Sequence, residues 1–545
     1  MNPDTLVITN FSGRLSRILN GDINSGFAKF KTSWGYDPFS KPMNLSWLEQ
    51  PVDITGAVKN AIVTAKPRFE AGVNYVYGVG HSSGGGAATI YKIEVNSSSN
   101  PNIDSVIQTA SIAANSPSFL FGGSIDFYGS TQKIYIGSDG QVNSINFDFT
   151  GDTKIGTNGY VSNVFRPLKQ FVGKLLFGNG NTIGAIDASG TVTSSIIGTG
   201  LGNLYSEINP PLPVSSRITD IDSSEDGNYL LITSSGVPNE NILTVANDRQ
   251  AAAASDGSIF RWNGVDAGIT SFSTIPSYAV TAMQVYLKHN IFFSDDAFGG
   301  SLNDGTSKLL TLPNNKAPFA NATLVNGNFV SWIAPEIIDD TSMVGSLYYF
   351  GSLDLENPPG LYRLTRHSTD LAGGYVYQTP VNIMTNNIYK TVNNAITAII
   401  PLGYGKHYFS TIEINNTTTE YKLYRFLVTP SGSGTPQAGV YETQTQLFSK
   451  RKSIKQIRVY TEPTVAGNGF QIDLIGSDGE VIDNGTFNYS FVAGSDLYTL
   501  KGSLERINFN PSTINTYALG VRITNTGSTN MTVKKVEVDI SDGGV

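Results

Sequence analysis

The chain has 545 residues, of which 40% are hydrophobic, 11% aromatic and only 15% charged, with a formal net charge of −8. It contains no cysteine, which excludes disulfides, thiolate metal sites and a cysteine nucleophile. The acidic balance and the lack of any long Lys/Arg run make duplex nucleic acid a poor partner, because a phosphate backbone is held by clustered cations.

This length exceeds the size at which one core stops growing, so a large closed β architecture with at least one further domain is expected. The charged fraction lies well below the roughly 25% of an average soluble domain, and 57 Gly and 24 Pro are spread along the chain. Turns are therefore frequent, and helices of ordinary length have little room. The first residues lack a basic stretch followed by an apolar one, and no window approaches about 18 uninterrupted apolar residues, so neither a standard export signal nor a membrane span is expected.

Residues 1–55 alternate poorly at either period and read as an extended arm carrying Trp34, Tyr36, Phe39 and Trp47. These rings fill either a face of the chain's own fold or a contact with another subunit. From residue 56, NAIVTAKPRF, NYVYGVGH, ATIYKIEVN and DSVIQTASI make four strands in one unit, the number a β-propeller blade needs. Further units follow from SIDFYG, from FRPLKQF, from Arg217, from AVTAMQVYLKHNIFFSDD, from ATLVNGNFVSWIAP and from AITAIIPLGYGKHYFSTIEI. Their spacing is close to common blade repeats of about 40–50 residues. The pattern predicts a propeller over 56–447 with six or seven blades, seven favoured; the count and the closure are left open at the ends, where propellers often borrow a strand from the other terminus.

The clearest copy of the repeated hairpin is RITDIDSSEDGNYLLITSS, Arg217 to Ser235, with an Asp226-Gly227 turn and the β-rich run Tyr229 to Thr233. A Gly/Ser/Pro-rich break at 429–439 reads as a loop or linker. The basic cluster Lys450, Arg451, Lys452 and Lys455 reads as a solvated strand start. Beyond it, IKQIRVY, GFQIDLIGSDGEVI, TFNYSFV, LERINFN, YALGVRITNTG and MTVKKVEVDI alternate well, which predicts a β-sandwich over 448–545.

Chemistry-bearing motifs are few. His81, His289, His367 and His407 lie in four different units without metal-ligand spacing. The turn Asp222-x-Ser224-x-Asp226-Gly227 has the opening of a calcium loop, but Thr233 stands where the bidentate Glu belongs. Sialidase-type turns are absent in their proper spacing, as are a Gly-x-Ser-x-Gly elbow and a phosphate loop. No catalytic residue, metal or cofactor is assigned, and the chain is expected not to be an enzyme.

FSGRLSRILNGDI with the aromatic arm, the cysteine-free run of Tyr/Asn/Gly-rich units, and the final domain entered through KRKSIKQIRVY together resemble the propeller-bearing structural proteins of tailed-bacteriophage tails, of nozzle, tube or hub type. The resemblance implies a virion tail component made in the host cytoplasm. It also implies a ring of copies around the tail axis, a hexamer favoured, supporting DNA passage or fibre attachment. Partners would be other tail or portal-adaptor proteins and tail fibres, with Trp34, Tyr36, Phe39 and Trp47 as candidate contacts. Two alternatives from other classes are a carbohydrate- or receptor-binding module stacking Tyr and Trp on sugars, and a propeller-type glycoside hydrolase.

Overall fold

A computed structural model describes residues 4–8, 11, 30–37, 44–54, 60, 62–80, 87–95, 104–115, 124–138, 141–156, 166–180, 182–193, 217–224, 227–235, 258–264, 271–274, 280–286, 289–294, 298–302, 309–311, 329–335, 342–348, 360–366, 375–381, 395–403, 406–415, 418–427, 435–462, 469–483, 505–509, 514–528 and 530–542. Every regular element among them is a β-strand, and every strand pairing with a defined register is antiparallel. The chain is all-β, as its composition predicts. It divides into two compact units, one of residues 1–51, 355–387 and 426–545, the other of 52–354 and 388–425.

The N-terminal strands are β1 (Asp4–Ile8), β2 (Phe30–Trp34), β3 (Tyr36–Asp37), β4 (Leu45–Trp47) and β5 (Val52–Asp53). Seven four-stranded sheets are then found among the described residues. The first holds β6 (Ile62–Glu70), β7 (Val73–Gly80), β8 (Ala87–Val95) and β9 (Ser105–Asn115); the second holds β10 (Ser124–Tyr128), β11 (Lys133–Ser138), β12 (Gln141–Ile145) and β13 (Thr153–Ile155). The third holds β14 (Leu168–Phe171), β15 (Lys174–Asn179), β16 (Thr182–Ile186) and β17 (Val192–Thr193); the fourth holds β18 (Arg217–Ser223), β19 (Leu230–Ser235), β20 (Ser258–Trp262) and β21 (Ser271–Thr274). The fifth runs β22 (Val280–Tyr286), β23 (His289–Ser294), β24 (Phe298–Leu302), β25 (Leu309–Thr311), and the sixth β26 (Phe329–Pro335), β27 (Ser342–Tyr348), β28 (Gly360–Arg366), β29 (Tyr375–Val381). The seventh takes β30 (Ala395–Gly403), β31 (Lys406–Asn415) and β32 (Thr418–Leu427), and its fourth strand is β5. Tyr424 pairs with Asp53 and Arg425 with Val52, and Ile54 N donates to Leu423 O at 2.9 Å. The last strands are β33 (Val440–Thr443), β34 (Gln446–Thr461), β35 (Phe470–Ile475), β36 (Val481–Asp483), β37 (Glu505–Phe509), β38 (Ile514–Asn525) and β39 (Thr532–Asp542).

In the unit of 52–354 and 388–425, sheet faces are buried against the next sheet in sequence. Tyr77, Ile90 and Ile112 of the first sheet share a core with Ile125, Ile134 and Ile145 of the second. Tyr135 and Val142 of the second pack with Leu175 and Phe177 of the third. Ile183 of the third packs with Ile221, Ile232 and Trp262 of the fourth. Ile62, Val76 and Ile93 of the first sheet also share a core with Ile400, Tyr408 and Leu423 of the seventh. The first strands β6, β10, β14, β18, β22, β26 and β30 are neighbours in that order, and β30 lies beside β6.

The hairpins form where turn residues accept positive φ. Ala71-Gly72 joins β6 to β7 at φ 47° and 88°, and Val172-Gly173 joins β14 to β15 at 47° and 70°, the paired left-handed geometry of tight hairpins. Val172 is β-branched, so this conformation strains it. In the Arg217–Ser235 hairpin, Ile221 pairs with Ile232 and Ser223 with Leu230. Gly227 has φ 71°, and Gly227 N donates to Ser224 O at 2.9 Å. The expected strand NILTVAND and the Asp139-Gly140 turn lie outside the described residues.

The unit of 1–51, 355–387 and 426–545 contains an eleven-stranded sheet with the path β2-β33-β38-β34-β39-β4-β3; β1 joins β39, β35 joins β38 with β36 beyond it, and β37 joins β34. Strands β1 to β4, within the segment 1–55 read from sequence as an extended arm, are thus interleaved with the C-terminal strands. Leu6 stands opposite Val538 and Ile8 opposite Val536, and Thr32 opposite Glu442. One core gathers Ile8, Phe11, Tyr36, Leu45 and Trp47 with Tyr441, Ile457, Ile472, Val521, Val533 and Val538. Gly35 makes this possible: it has φ 69°, and a Cβ there would meet Ala438 O at 2.5 Å, so only glycine lets β2 turn into β3 against that backbone. The segment 435–447, expected to end a linker and precede the last domain, already carries β33 and belongs to this unit.

Candidate functional site

Charged side chains are scarce, so where the fold places them is informative. In the unit of 52–354 and 388–425, three polar clusters join consecutive sheets. The first runs along β6, β10, β14 and β18. Lys66 Nζ donates to Asp126 Oδ1, and Gln170 Nε2 donates to the same oxygen at 3.1 Å. Lys169 Nζ pairs with Asp222 Oδ1. Burial works against the charge of Lys169, but Asp222 and, more weakly, Asp126 and Asp220 hold its ammonium above the usual lysine range. Asp126 is 3% exposed, so it is a buried carboxylate met by a cation, as such groups must be.

The second cluster lies between the first two sheets. The Arg68 guanidinium stacks 3.6 Å from the Phe147 ring centroid and 5.4 Å from that of Phe127. Its Nε pairs with Glu70 Oε1 at 3.0 Å, and its Nη2 donates to Gln132 Oε1 at 2.9 Å. Glu70 also accepts from Tyr77 Oη at 2.9 Å and Lys92 Nζ at 3.0 Å. Burial, reinforced by Glu70, pushes the Tyr77 hydroxyl well above the usual tyrosine range.

The third cluster joins the seventh sheet to the first. Asp104, directly before β9, accepts from Arg425 Nη1 at 2.9 Å and from Tyr408 Oη at 2.6 Å. The arginine and aspartate side chains are 4% and 0% exposed. Burial first, and Asp104 second, raise the Tyr408 hydroxyl far above its ordinary value. Arg425 is also the residue whose backbone pairs with Val52 of β5, so one residue ties the seventh sheet to both the first sheet and its N-terminal strand.

In the other unit, Tyr36 and Trp47 are fully buried, with ring centroids 5.0 Å apart. Both fill their own chain's core instead of presenting a surface, because β3 and β4 pair with these two residues opposite each other. Trp34 stands opposite Val440 in the β2–β33 pairing; its side chain, and Phe39 entirely, lie outside the described residues. Arg458 clamps β39 through Glu537 at 2.8 Å and Asp539 at 2.6 Å, and Thr5 Oγ1 donates to Asp539 at 2.8 Å. Lys450, Arg451 and Lys455 are exposed. The first two sit where β34 shifts register between Leu447 and Lys452, and Lys452 pairs with Asp542 at 2.7 Å.

Asp222 is engaged by Lys169, and Ser224 Oγ accepts from Tyr229 N at 3.0 Å; Asp226 lies outside the described residues. Among the described residues no group of His, Asp and Glu is gathered as a metal would need. His289 and His407 fall in β23 and β31, whereas His81 and His367 lie outside the described residues. The sequence reading did not single out Lys66, Asp126, Lys169, Asp104 or Arg425, and took Asp222 only as part of a turn with the opening of a calcium loop. A signal was present for two of them: Asp126 and Lys169 are the single charges of the first strands SIDFY and LKQF in a chain short of charge.

No helix among the described residues is long and apolar enough to cross a membrane. No protein-family model and no curated protein matches the chain. Solved structures similar to it include a computationally designed protein, at 11% identity over 73% of this chain and 97% of that one with a TM-score of 0.36. A glycoside hydrolase is similar at 10% identity over 88% and 99% with a TM-score of 0.29. A chain of a mitotic checkpoint complex is similar at 12% identity over 69% and 91% with a TM-score of 0.39.

Proposed function

We propose that the seven sheets are the blades of a β-propeller closed by β5, and that the chain is a structural protein of a tailed-phage virion. In this reading copies form a ring around the tail axis, a hexamer favoured, that supports DNA passage or fibre attachment. The strands outside the propeller form a β-sandwich. The observation that carries the propeller is the seventh sheet: its outer strand comes from residues 52–53, and its inner strand lies beside β6 of the first sheet. An N-terminal strand completing the last blade is how propellers remove open edges.

Support for a scaffold comes from the use of charge. Lys66–Asp126, Lys169–Asp222 and Arg425–Asp104 each link one sheet to the next. Arg425–Asp104 is buried, so parting it strands a charge in a dry environment, whereas the two lysines are 40% and 34% exposed and their pairs contribute less. The assignment to a tail rests on the resemblance of the whole layout to tail propeller proteins. Negative-stain images and mass photometry of the purified chain are expected to give ring-shaped assemblies; a strict monomer at high concentration overturns the reading. The carbohydrate-binding alternative draws on Phe69 and Tyr517, which are 68% and 60% exposed and could stack on sugars; a glycan array without a hit removes it.

A further inference from the structure

The outer strands of the sheets are unequal. Those of the second to fifth sheets have three, two, four and three residues, that of the sixth has seven and contains Pro380, and that of the seventh has two. Short edges are a standard protection against unwanted pairing. The outer strand of the first sheet, β9, has 11 residues, SVIQTASIAAN, without a charge or a proline. Among the described residues it ends its sheet, paired to β8 alone, and Ser105, Ile107, Thr109 and Ser111 are exposed along it. Ile107 is 47% exposed.

Two irregularities frame this strand. The register against β8 slips at Ile107, where Lys92 meets Gln108 and Ile93 meets Val106, and again between Ile112 and Asn115. Between them Gln108–Ile112 pairs without interruption, and its centre is Ala110. Gln108 turns its amide toward the second sheet, donating to Asp148 O at 2.8 Å, while Thr109 and Ser111 face solvent. A backbone edge in this state has alternate N–H and C=O groups directed away from its own sheet.

We infer that β9 is a self-pairing edge: two copies of the chain join antiparallel through Gln108–Ile112 about a twofold axis at Ala110. Charge selects this occupant. A neutral strand meeting its own copy opposes no like charges, and an isologous contact needs only one such surface. About that axis Thr109 of one copy stands opposite Ser111 of the other, twice, and hydroxyl pairs of this type are favourable across strands. The two first sheets then continue as one sheet through the twofold axis. This goes beyond the ring, which is a cyclic contact, whereas this one is twofold.

The test compares two double variants of the full chain that alter the same two positions and differ only in sign. Thr109→Lys/Ser111→Lys opposes like charges twice across the axis, and Thr109→Lys/Ser111→Glu opposes unlike charges twice. Sedimentation velocity and mass photometry over a concentration series are expected to show pairwise association for the wild type. The Lys/Glu variant should retain it and the Lys/Lys variant should weaken it by about tenfold or more at low salt. A wild type with no pairwise step up to ~100 μM, far above the range of specific contacts, overturns the inference. Equal association of the two variants also overturns it. A ring that persists in the Lys/Lys variant while its pairing is lost separates this contact from the ring itself.

Discussion

The seven sheets and the eleven-stranded sheet bury their faces by opposite routes. In the seven sheets each strand pairs with its sequence neighbour, and among the described residues apolar cores join the first four sheets in turn and the seventh to the first; only β5 arrives from far away. In the eleven-stranded sheet the pairings join chain ends, with Asp4 opposite Ile540 and Ser46 opposite Thr532. Repeated local hairpins make a structure whose parts are each small and cheap in loop entropy, whereas the interleaved unit gathers one large core at the cost of long loop closures. The first kind of unit is damaged piece by piece; the second stands or falls with its most distant strands.

Removing residues 1–51 breaks the contrast most severely. It deletes β1 to β4 and with them Phe11, Tyr36 and Trp47, each fully buried, while leaving β5 in place. Limited proteolysis is expected to digest 426–545 rapidly and spare the seven sheets. Equal protection of both segments would show that the first 51 residues contribute nothing to holding 426–545 together.

The middle effect concerns the clamp between the first and seventh sheets. Asp104→Ala strands the Arg425 charge and removes the acceptor of Tyr408, with an expected loss of about 3–5 kcal/mol in urea denaturation. Replacing both partners, Asp104→Leu with Arg425→Met, should return much of that loss, because no charge is then left alone. A single variant as stable as the wild type would show that the clamp contributes nothing to holding the first and seventh sheets together.

The smallest effect is a pH dependence in the interleaved unit. Burial would raise the Glu537 carboxyl, but hydrogen bonds from Lys535, Tyr460 and Arg458 outweigh it and hold the group below the ordinary glutamate value of 4.5. A depressed folded value contributes stability above 4.5, lost as pH falls through the folded value. Glu537→Gln should therefore be less stable than the wild type at neutral pH, by about 1 kcal/mol or less for a partly exposed network. The gap should close below pH 4; a pH-independent gap would assign the loss to packing alone.

The division of the molecule also explains what its sequence revealed. Alternation and turn residues report strands that pair with their neighbours, so the strand starts at Ile62, Ser124, Leu168, Arg217, Val280, Phe329 and Ala395 were legible. Pairing between Tyr36–Asp37 and Leu45–Trp47, or between Asp4–Ile8 and Thr532–Asp542, leaves no local periodicity, and strands of two or three residues are too short to alternate. Aromatic content marked Trp47 and Tyr36 as important but could not say against what they pack. The ion pairs escaped for the same reason: Lys66 and Asp126 are 60 positions apart, and their meeting depends on two sheets lying face to face.

The pairing of β5 with β32 and of β1 with β39 also sets a timetable. The ribosome emits Val52–Asp53 before any residue of the seven sheets, yet the partner of these residues, Tyr424–Arg425, comes last among them. At about 5–20 residues per second, the wait is roughly 20 to 75 s for β5 and longer for β1. β1 and β5 thus leave the ribosome long before the strands they pair with. Their brevity, five residues in β1 and two in β5, keeps the nascent chain from displaying a long sticky edge during that interval.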